Sequence, residues 1–270
     1  MVGHHPEHGA PGPDFSLIFP AYNAAGCVTA TWDSLRQFLP HAPGSWEFLF
    51  VCDGCTDDTV ERLQALMRQD VTANARLVNY GSNRGKGFAV RRGMQEARGR
   101  WRIFTDVDLA YRFDSIVRVA ETLQGGAEVA IASRVHPDSR LVVPPTLQGY
   151  AYRRYLQSVI FSAVVRRLLP LSQRDTQAGL KGLSARAVQT LLPDLHCNGF
   201  GFDCELLSAC QKHGMPVVEV PVTVNFDNRS STTSWRSMRH MLREIWTIRR
   251  RLAERVSGPS TAGTPDRQAA

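Results

Sequence analysis

Short apolar runs alternate with amphipathic stretches along the first half of this chain, and this alternation constrains the fold more than any other feature. The runs cover residues 15–20, 48–52, 76–80, 101–105 and 129–132. Between them lie stretches with apolar side chains at helical spacing, over residues 26–39, 57–69, 87–97 and 114–123. Strands joined by helices of this length form βαβ units with parallel strands and right-handed connections. We therefore predict an α/β fold with a single, mostly parallel, Rossmann-like sheet flanked by helices.

The second half of the chain shows weaker alternation, and its elements are predicted one by one. Helices are expected over residues 150–169 and 202–213, and a short strand over residues 179–183. A further strand is expected over residues 217–224. Pro221 within it indicates a sheet edge, because proline cannot donate a hydrogen bond to a neighbouring strand.

The domain formed by these elements is expected to span residues 14–233. Residues 234–256 follow as a basic amphipathic helix, in which large apolar side chains recur at helical spacing among arginines. Such a helix either lies in a membrane interface or packs its apolar face on the core, and the sequence leaves both options open. The two ends, residues 1–13 and 257–270, are rich in small and polar residues and are expected to be disordered.

Composition limits the classes of protein to which this chain can belong. A chain of 270 residues with 43% hydrophobic content can bury one good core. Because the sequence has neither a long apolar run nor a signal-peptide pattern, we expect no transmembrane helix and a cytoplasmic location. The net charge of +7 indicates anionic partners such as phosphates. A nucleic-acid partner is not expected, because no basic platform interleaved with aromatic residues is present.

Two aspartates one residue apart, Asp106 and Asp108, follow the apolar run at residues 101–105. They lie at the carboxyl end of a predicted strand, which is the edge at which open α/β sheets bind ligands. Two crowded carboxylates repel each other unless a cation lies between them. Mg²⁺ suits that position, because it takes one or two protein carboxylates and completes its coordination with water and substrate phosphates. Taken alone, the pair is equally consistent with a polar turn, so the neighbouring loops decide its meaning.

Three loops follow the first three predicted strands and supply side chains of the kinds that bind nucleotides. Their candidate residues are Pro20, Tyr22, Asn23, Asp53, Arg84 and Lys86. Asp53 can accept a hydrogen bond from a base or a ribose. The loop at residues 83–87 combines glycines and cations with a helix start, and therefore offers backbone N–H groups and positive charge to a phosphate. Together with the aspartate pair, these loops indicate a nucleotide-binding edge.

The order of these motifs resembles that of the inverting glycosyltransferases of family 2, which have a GT-A fold. The motifs are P-A-Y-N at 20–23, V-C-D-G-C-T-D-D-T at 51–59, N-R-G-K-G-F-A-V-R-R-G-M at 83–94 and T-D-V-D-L-A at 105–110. Resemblance to the dolichyl-phosphate glucosyl- and mannosyltransferase branch comes from R-D-T-Q-A-G-L-K at 174–181 and F-D-C-E-L-L at 202–207. The resemblance covers residues 15–251. One departure is Cys52, because the family usually has a second aspartate at that position.

For the donor side, the resemblance implies a nucleotide-sugar, and we expect UDP-glucose or a related UDP- or GDP-hexose. The base and the ribose would be held by Pro20, Tyr22, Asn23 and Asp53. Arg84 and Lys86 would face the rest of the donor. Asp106 and Asp108 would bind Mg²⁺ or Mn²⁺, which would neutralise the leaving diphosphate and would make these aspartates catalytic.

For the acceptor side, the resemblance implies a polyprenyl phosphate, whose oxygen is already anionic and needs no base. Arginine would bind this phosphate, because the planar guanidinium group makes two parallel hydrogen bonds to it. The candidates are Arg134, Arg153, Arg154 and Arg229, together with Gln177 in a loop that borders the acceptor. If the acceptor is an alcohol instead, Asp203 becomes the candidate general base.

Three functions stay open on sequence grounds. The first is a hexosyltransferase that acts on a polyprenyl phosphate, with peripheral membrane contact. The second is a soluble family 2 transferase that acts on a hydroxyl group of a small molecule or a saccharide. The third is a nucleotide-sugar-binding protein without turnover, which the intact aspartate pair disfavours.

Overall fold

A computed structural model describes residues 12–225 and 235–256, and its strands and helices alternate over the first half of the chain as predicted. In chain order they are β1 (Phe15–Ala21), α1 (Val28–Phe38), β2 (Trp46–Cys52), α2 (Thr59–Gln69), β3 (Ala75–Asn79), α3 (Lys86–Glu96), β4 (Trp101–Phe104), α4 (Phe113–Gln124), β5 (Val129–Ser133), β6 (Arg140–Val142), α5 (Gln148–Leu168), β7 (Lys181–Ser184), α6 (Ala185–Leu191), α7 (Phe202–Lys212), β8 (Val217–Pro221), β9 (Thr223–Asn225) and α8 (Trp235–Val256). The ends for which disorder is predicted lie outside the described residues, apart from residues 12 and 13, and the domain bounds stay a prediction.

The main sheet has seven strands in the order β3-β2-β1-β4-β7-β5-β8. β7 runs antiparallel to both of its neighbours, whereas the other neighbouring pairs are parallel. The α/β fold with a mostly parallel sheet is therefore confirmed. The edge position indicated by Pro221 is also confirmed, because β8 is the last strand of the order.

The expectation of a single sheet is wrong in one respect. β6 and β9 form a separate two-stranded parallel sheet. The strand predicted over residues 217–224 is divided after Pro221, and its second part, Thr223–Asn225, pairs with β6 instead of continuing along β5. The division follows from the position of the proline, which has no N–H group with which to extend a ladder.

Helices cover both faces of the main sheet, because its central strands are apolar on both sides. Every residue of β2 is buried, as expected for a parallel strand between two helix layers. One layer contains α1, α2 and α4, and the other contains α3, α6, α7 and α8. Phe15 stacks on Trp46, and Phe19 stacks on Phe50, across β1 and β2. The loops at the carboxyl ends of these strands are therefore attached to a closely packed part of the sheet.

The terminal helix α8 packs its apolar face on the core. Met241, Ile245 and Ile248 are buried in the same core cluster as residues of α5 and α7. These three side chains therefore face the core, whereas Trp246 of the same helix is 62% exposed. Membrane contact through this helix stays a prediction. Among the described residues, no helix is both long enough and apolar enough to cross a membrane.

The loop between α6 and α7 is held between α8 and the start of α3. Glu244 of α8 accepts hydrogen bonds from the backbone N–H groups of Gly199 and Gly201, with N–O distances of 3.1 and 2.9 Å. On the other side, Phe88 of α3 donates its backbone N–H to the carbonyl oxygen of Asn198 at 3.2 Å. The terminal helix therefore supports the loop against which the start of α3 is packed.

Candidate active site

The carboxyl ends of β2 and β4 meet at one edge of the sheet and bring the predicted donor loops together. Asp53 follows β2 directly, Asp106 follows β4 after one residue, and Lys86 begins α3. Lys86 Nζ lies 2.5 Å from Asp106 Oδ1. This ion pair joins the basic loop at residues 83–87 to the aspartate pair.

Asp106 packs directly against the backbone that leads into β7. A Cβ atom on Gly179 would lie 2.2 Å from Asp106 Oδ2, so the residue at this position must lack a side chain. Burial by itself would lower the pKa of Lys86, but the charges of Asp106 and Asp203 and the hydrogen bond to Asp106 raise the pKa above its usual value. The lysine is therefore a permanent cation beside the carboxylate.

Asp108 lies in a tight turn after Asp106. The backbone N–H of Leu109 donates to the carbonyl oxygen of Asp106 at 3.1 Å, and the N–H of Ala110 donates to Asp108 Oδ1 at 3.3 Å. Leu109 has a φ of +51°, a left-handed conformation that is uncommon for a residue with a branched side chain. Strain of this kind concentrates at functional sites, and here it lies directly after Asp108, at the end of the turn that carries both carboxylates.

The aspartate pair fits a hard divalent cation. Among the residues that the structure describes, no cluster of three or more histidine, cysteine, aspartate or glutamate side chains is arranged to hold a metal. Two carboxylates are, however, what Mg²⁺ takes from a protein when water and substrate phosphates supply the remaining ligands. Asp106 is partly exposed and can therefore meet a cation. The assignment of Asp106 and Asp108 to Mg²⁺ or Mn²⁺ stays a prediction.

Asp53 is buried beneath the basic loop and holds it in place. Its carboxylate accepts hydrogen bonds from Tyr80 Oη at 2.7 Å and from the backbone N–H groups of Arg84 and Gly85 at 2.7 and 2.8 Å. The Arg84 guanidinium carbon lies 3.7 Å from the centre of the Phe88 ring. The structure thus gives Asp53 a positioning role that was not predicted, while its contact with the nucleoside stays a prediction.

The loop after β1 is tied to the loop after β2. Asn23 has a φ of +49°, and its Oδ1 accepts a hydrogen bond from the backbone N–H of Thr56 at 2.8 Å. Tyr22 beside it is 52% exposed, so its ring is available to a base. Pro20 lies inside β1, opposite Val51 of β2, and therefore shapes the strand end from which Tyr22 projects. The donor contacts of these three residues stay predictions.

Arg134 follows β5 and forms a two-pronged ion pair with buried Asp175. Its Nε and Nη2 donate to the two Asp175 oxygens at 2.7 and 2.8 Å, and its backbone N–H donates at 2.9 Å. Burial would raise the pKa of Asp175, but the hydrogen bonds and charge of Arg134 hold this pKa below its usual value. The charge of Asp106 also acts on Arg134, so the guanidinium lies within electrostatic reach of the predicted metal ligand. Its side chain is 36% exposed and can therefore meet a second anion.

The other predicted acceptor residues are placed less completely. Gln177 Nε2 lies 2.8 Å from Met241 Sδ, so this amide is turned towards α8. Arg153 and Arg154 belong to α5, but their side chains lie outside what the structure describes. Arg229 lies outside the described residues altogether. The acceptor role of these four residues stays a prediction.

A buried ion pair between Lys181 and Asp203 was not predicted. Lys181 of β7 has no exposed side-chain surface, and its Nζ lies 2.6 Å from Asp203 Oδ1 and 2.6 Å from the carbonyl oxygen of Ala178. Asp203 lies in the first turn of α7, as its position before a predicted helix implied. The signal in the sequence was the lysine itself, because a lysine inside an apolar strand requires a buried partner.

Comparison with known proteins identifies the family. The family model described as Glycosyl transferase family 2 matches residues 16–192, which run from β1 through the donor edge to the end of α6. The chain belongs to glycosyltransferase family 2. The resemblance inferred from the loop motifs is thereby confirmed, and the chain is a glycosyltransferase.

Relatives of this family 2 transferase include two proteins named dolichyl-phosphate beta-glucosyltransferase. The protein from Dictyostelium discoideum is 29% identical over 247 residues, with 87% of this chain and 73% of that protein covered. The protein from Drosophila melanogaster is 30% identical over 253 residues, with 88% of this chain and 75% of that protein covered. The similarity therefore extends beyond the residues that the family model matches.

A solved structure with a similar fold is glucosyl-3-phosphoglycerate synthase from Mycobacterium tuberculosis, in complex with Mn²⁺, UDP-glucose and phosphoglyceric acid. The TM-score is 0.65 at 19% identity, with 88% of this chain and 80% of that chain covered. At this identity the likeness shows the fold alone. The GT-A fold of the family 2 transferase is confirmed.

Proposed function

We propose that this family 2 transferase moves a hexose, with inversion, from UDP-glucose or a related nucleotide-hexose to a polyprenyl phosphate of the dolichyl type. The observation that carries the proposal is the distribution of charge on the acceptor side. Arg134 is an oriented cation within electrostatic reach of Asp106. The candidate base Asp203, in contrast, is buried and paired with Lys181. A phosphate acceptor requires cations and no base, whereas an alcohol requires a base.

The names of the relatives support the same acceptor. Two proteins that this chain resembles at 29% and 30% identity are named for glucosyl transfer to dolichyl phosphate. The similarity to them covers the segments that hold Arg134, Asp175 and Lys181. The identity of the sugar and of the nucleotide in this proposal is inferred from the names of these relatives together with the motifs of the donor loops.

On the donor side, the chain binds and orients the nucleotide-sugar. The exposed Tyr22 ring and the neighbouring Asn23 backbone border the base. Asp53 accepts the backbone N–H groups of Arg84 and Gly85 and so holds the basic loop in place, which leaves the cationic side chains of that loop to meet the phosphates. Lys86 supplies a positive charge at the diphosphate. Asp106 and Asp108 would hold a divalent cation, which would neutralise the leaving diphosphate as a Lewis acid.

In the transfer step, an acceptor phosphate oxygen bonds to the anomeric carbon as the bond from that carbon to the donor diphosphate breaks. The oxygen attacks from the face opposite the diphosphate, and the anomeric configuration therefore inverts. The bonding electron pair leaves with the diphosphate. Two anions must come together for this reaction, and Arg134 lowers their repulsion from the acceptor side, because oriented cations stabilise the charge that develops.

The alternative acceptor, a hydroxyl group of a small molecule or saccharide, needs a base in contact with that group. Asp203 is 5% exposed, and one of its oxygens is bound to a buried ammonium group. A carboxylate in this position links α7 to β7 through its ion pair with Lys181, and it is poorly placed to accept a proton from a substrate. The geometry therefore favours the phosphate acceptor.

The test of the proposed function is a matrix of donors and acceptors. Nucleotide-sugars that differ in base and hexose are incubated with polyprenyl phosphate, with the matching polyprenol and with glycerol 3-phosphate, in Mg²⁺, Mn²⁺ or EDTA. We expect metal-dependent transfer from UDP-glucose to polyprenyl phosphate and none to the polyprenol. Transfer to the polyprenol at a similar rate, or transfer that EDTA leaves unchanged, would contradict the proposal.

Replacing Arg134 by lysine should raise the KM for polyprenyl phosphate and leave the KM for the donor within about twofold. Lysine keeps the charge but loses the planar fork that binds Asp175 and a phosphate. A hydrogen bond to a charged group contributes about 1.5–3 kcal/mol, which corresponds to roughly a 10- to 100-fold rise in KM. Steady-state kinetics with each substrate varied in turn measure both constants.

The matched control for this variant is Arg118→Lys. Arg118 is exposed on α4, and within the described part of the chain its guanidinium makes one long hydrogen bond, 3.5 Å, to the carbonyl oxygen of Pro221. The control should leave both KM values unchanged. An equal rise in the donor and acceptor KM of Arg134→Lys would place Arg134 outside the acceptor site.

Helix α5 offers the surface for peripheral membrane contact that a lipid-linked acceptor requires. Tyr152, Leu156, Ile160 and Val164 are four residues apart and therefore lie on one helix face, with exposures of 68%, 48%, 57% and 41%. Arginines at residues 166 and 167 are exposed at the end of the same helix. An apolar face next to cations suits the surface of an anionic bilayer. We infer that α5, and not α8, makes the contact.

The double variant Leu156→Asp/Ile160→Asp should lose binding to anionic liposomes. Burying one large aliphatic side chain contributes about 1.5–3 kcal/mol, so the partition coefficient should fall roughly a hundredfold or more. Flotation with phosphatidylglycerol-containing vesicles at low salt measures it. Val71→Asp is the control, because Val71 is an exposed valine (85%) outside α5. A wild-type protein that does not float would favour the hydroxyl acceptor, and unchanged flotation of the double variant would exclude α5 as the contact.

A further inference from the structure

The ammonium group of Lys86 lies where it neutralises one of the two predicted metal ligands. Its Nζ is 2.5 Å from Asp106 Oδ1, and its side chain is 19% exposed. The lysine and a divalent cation therefore compete for the same carboxylate. Because a largely covered charge is poorly solvated, a cation replaces Lys86 at Asp106 more readily when the ammonium finds another anion.

We propose that Lys86 is an internal counter-cation that is exchanged for the divalent cation when the donor diphosphate is bound, so that the cation and the nucleotide bind cooperatively. The diphosphate gives the ammonium a new partner, and the carboxylate is then released to the cation. Each ligand therefore raises the affinity for the other by the same factor. This inference rests on the proposed function, because it assumes that the site takes a nucleotide diphosphate and a metal.

Among the described residues, neither of the other groups that act on Lys86 can take over its ammonium, which makes the diphosphate its alternative partner. The second carboxylate whose charge acts on Lys86 is Asp203 of α7. Asp203 is already bound to Lys181, with a separation of 2.6 Å between Nζ and Oδ1. Tyr111, which also acts on Lys86, is buried, and burial raises its pKa well above the usual value, so it stays neutral and cannot balance an ammonium.

The backbone around Lys86 is fixed, so the exchange requires movement of the side chain alone. A Cβ atom on Gly85 would lie 2.4 Å from the carbonyl oxygen of Asn198, and one on Gly87 would lie 2.6 Å from that of Cys197. The backbone N–H of Gly85 is also held by Asp53 at 2.8 Å. The backbone at the start of α3 is therefore closely packed, and the flexible lysine side chain is the part that can turn from the carboxylate to a phosphate.

The test is direct measurement of Mn²⁺ binding to the full chain, by electron paramagnetic resonance of free Mn²⁺ and by calorimetry, with and without UDP. In the wild type, UDP should tighten Mn²⁺ binding roughly tenfold or more, as expected for ordinary coupling between two sites. Lys86→Met should bind Mn²⁺ alone roughly tenfold more tightly than the wild type. It should also lose most of the enhancement by UDP and bind UDP more weakly.

In Lys86→Met, Mn²⁺ binding should become tighter while UDP binding becomes weaker. Two further variants test whether this pair of opposite changes is specific to the loss of the cation at Asp106. Lys86→Arg keeps a cation at the carboxylate and should bind Mn²⁺ alone as weakly as the wild type. Lys212→Met removes a lysine from another ion pair, with Asp194 at 2.5 Å, and should change neither affinity. Thermal unfolding of each variant shows whether it is folded.

The outcomes distinguish this inference from the proposed function. If Lys86→Met binds Mn²⁺ alone no more tightly than the wild type, or keeps the full enhancement by UDP, the counter-cation role is overturned while the donor site stands. If the wild type binds neither UDP nor Mn²⁺, the donor site itself fails, and the counter-cation role fails with it.

Discussion

Replacing Asp108 by asparagine should lower the transfer rate about a thousandfold while leaving the fold intact. A bound divalent cation contributes several kcal/mol to neutralising the leaving group, and each 1.4 kcal/mol or so corresponds to a tenfold change in rate. Asparagine has the same shape and keeps an oxygen that can accept the Ala110 N–H, which lies 3.3 Å from Asp108 Oδ1. It lacks the negative charge that binds the cation. Single-turnover transfer from UDP-glucose in Mg²⁺ and in Mn²⁺ measures the effect.

The control for the Asp108 variant is Asp33→Asn, which removes one negative charge from an exposed position on α1. This control should transfer at the wild-type rate. The unfolding temperatures of both variants should match that of the wild type. A rate of Asp108→Asn within tenfold of the wild type would remove Asp108 from the metal site.

Replacing Lys181 by methionine should lower the free energy of unfolding by about 3–5 kcal/mol, the usual cost of leaving a buried charge without its partner. Methionine fills a similar volume but cannot neutralise Asp203, which is 5% exposed. It also leaves the carbonyl oxygen of Ala178 without its hydrogen bond from Nζ. Urea unfolding, followed by circular dichroism, measures the loss.

The double variant Lys181→Met/Asp203→Asn gives the internal control for this pair. With the carboxylate made neutral, the loss should be clearly smaller than in Lys181→Met alone, because no isolated charge is left in the core. Lys212→Met removes an ion pair whose lysine side chain is 42% exposed. This variant should change the free energy of unfolding by less than about 1 kcal/mol. A loss of less than about 1 kcal/mol in Lys181→Met would show that the buried pair does not stabilise the fold.

The donor half of the site could be predicted from the sequence because its residues follow strands. Apolar runs identify β1, β2, β3 and β4, and the side chains at their carboxyl ends must meet at one edge of a parallel sheet. Asp53, Lys86 and Asp106 are brought together in this way, by local sequence and a general rule of sheet topology. The same rule did not indicate that Asp53 is buried, because its three hydrogen-bond donors come from the next loop.

The acceptor half was less predictable, because its contacts join segments that are distant in sequence. Arg134 pairs with Asp175 across 41 residues, and Lys181 pairs with Asp203 across 22 residues. The antiparallel direction of β7 also carries no local signal in a strand of four residues. That direction places Lys181 opposite Phe104 at the end of β4, and thus close to the metal candidates.

The sequence by itself determined the alternating α/β architecture, the family and the donor edge, because periodicity and strand ends are local properties. The tertiary structure alone decided how the charges are paired. Lys86 is bound to Asp106, Lys181 to Asp203 and Arg134 to Asp175. It also decided which apolar side chains of these helices are covered, since Ile245 of α8 is buried whereas Ile160 of α5 is exposed. Both outcomes depend on which surfaces meet when distant segments pack, and periodicity within one segment carries no information about its partner.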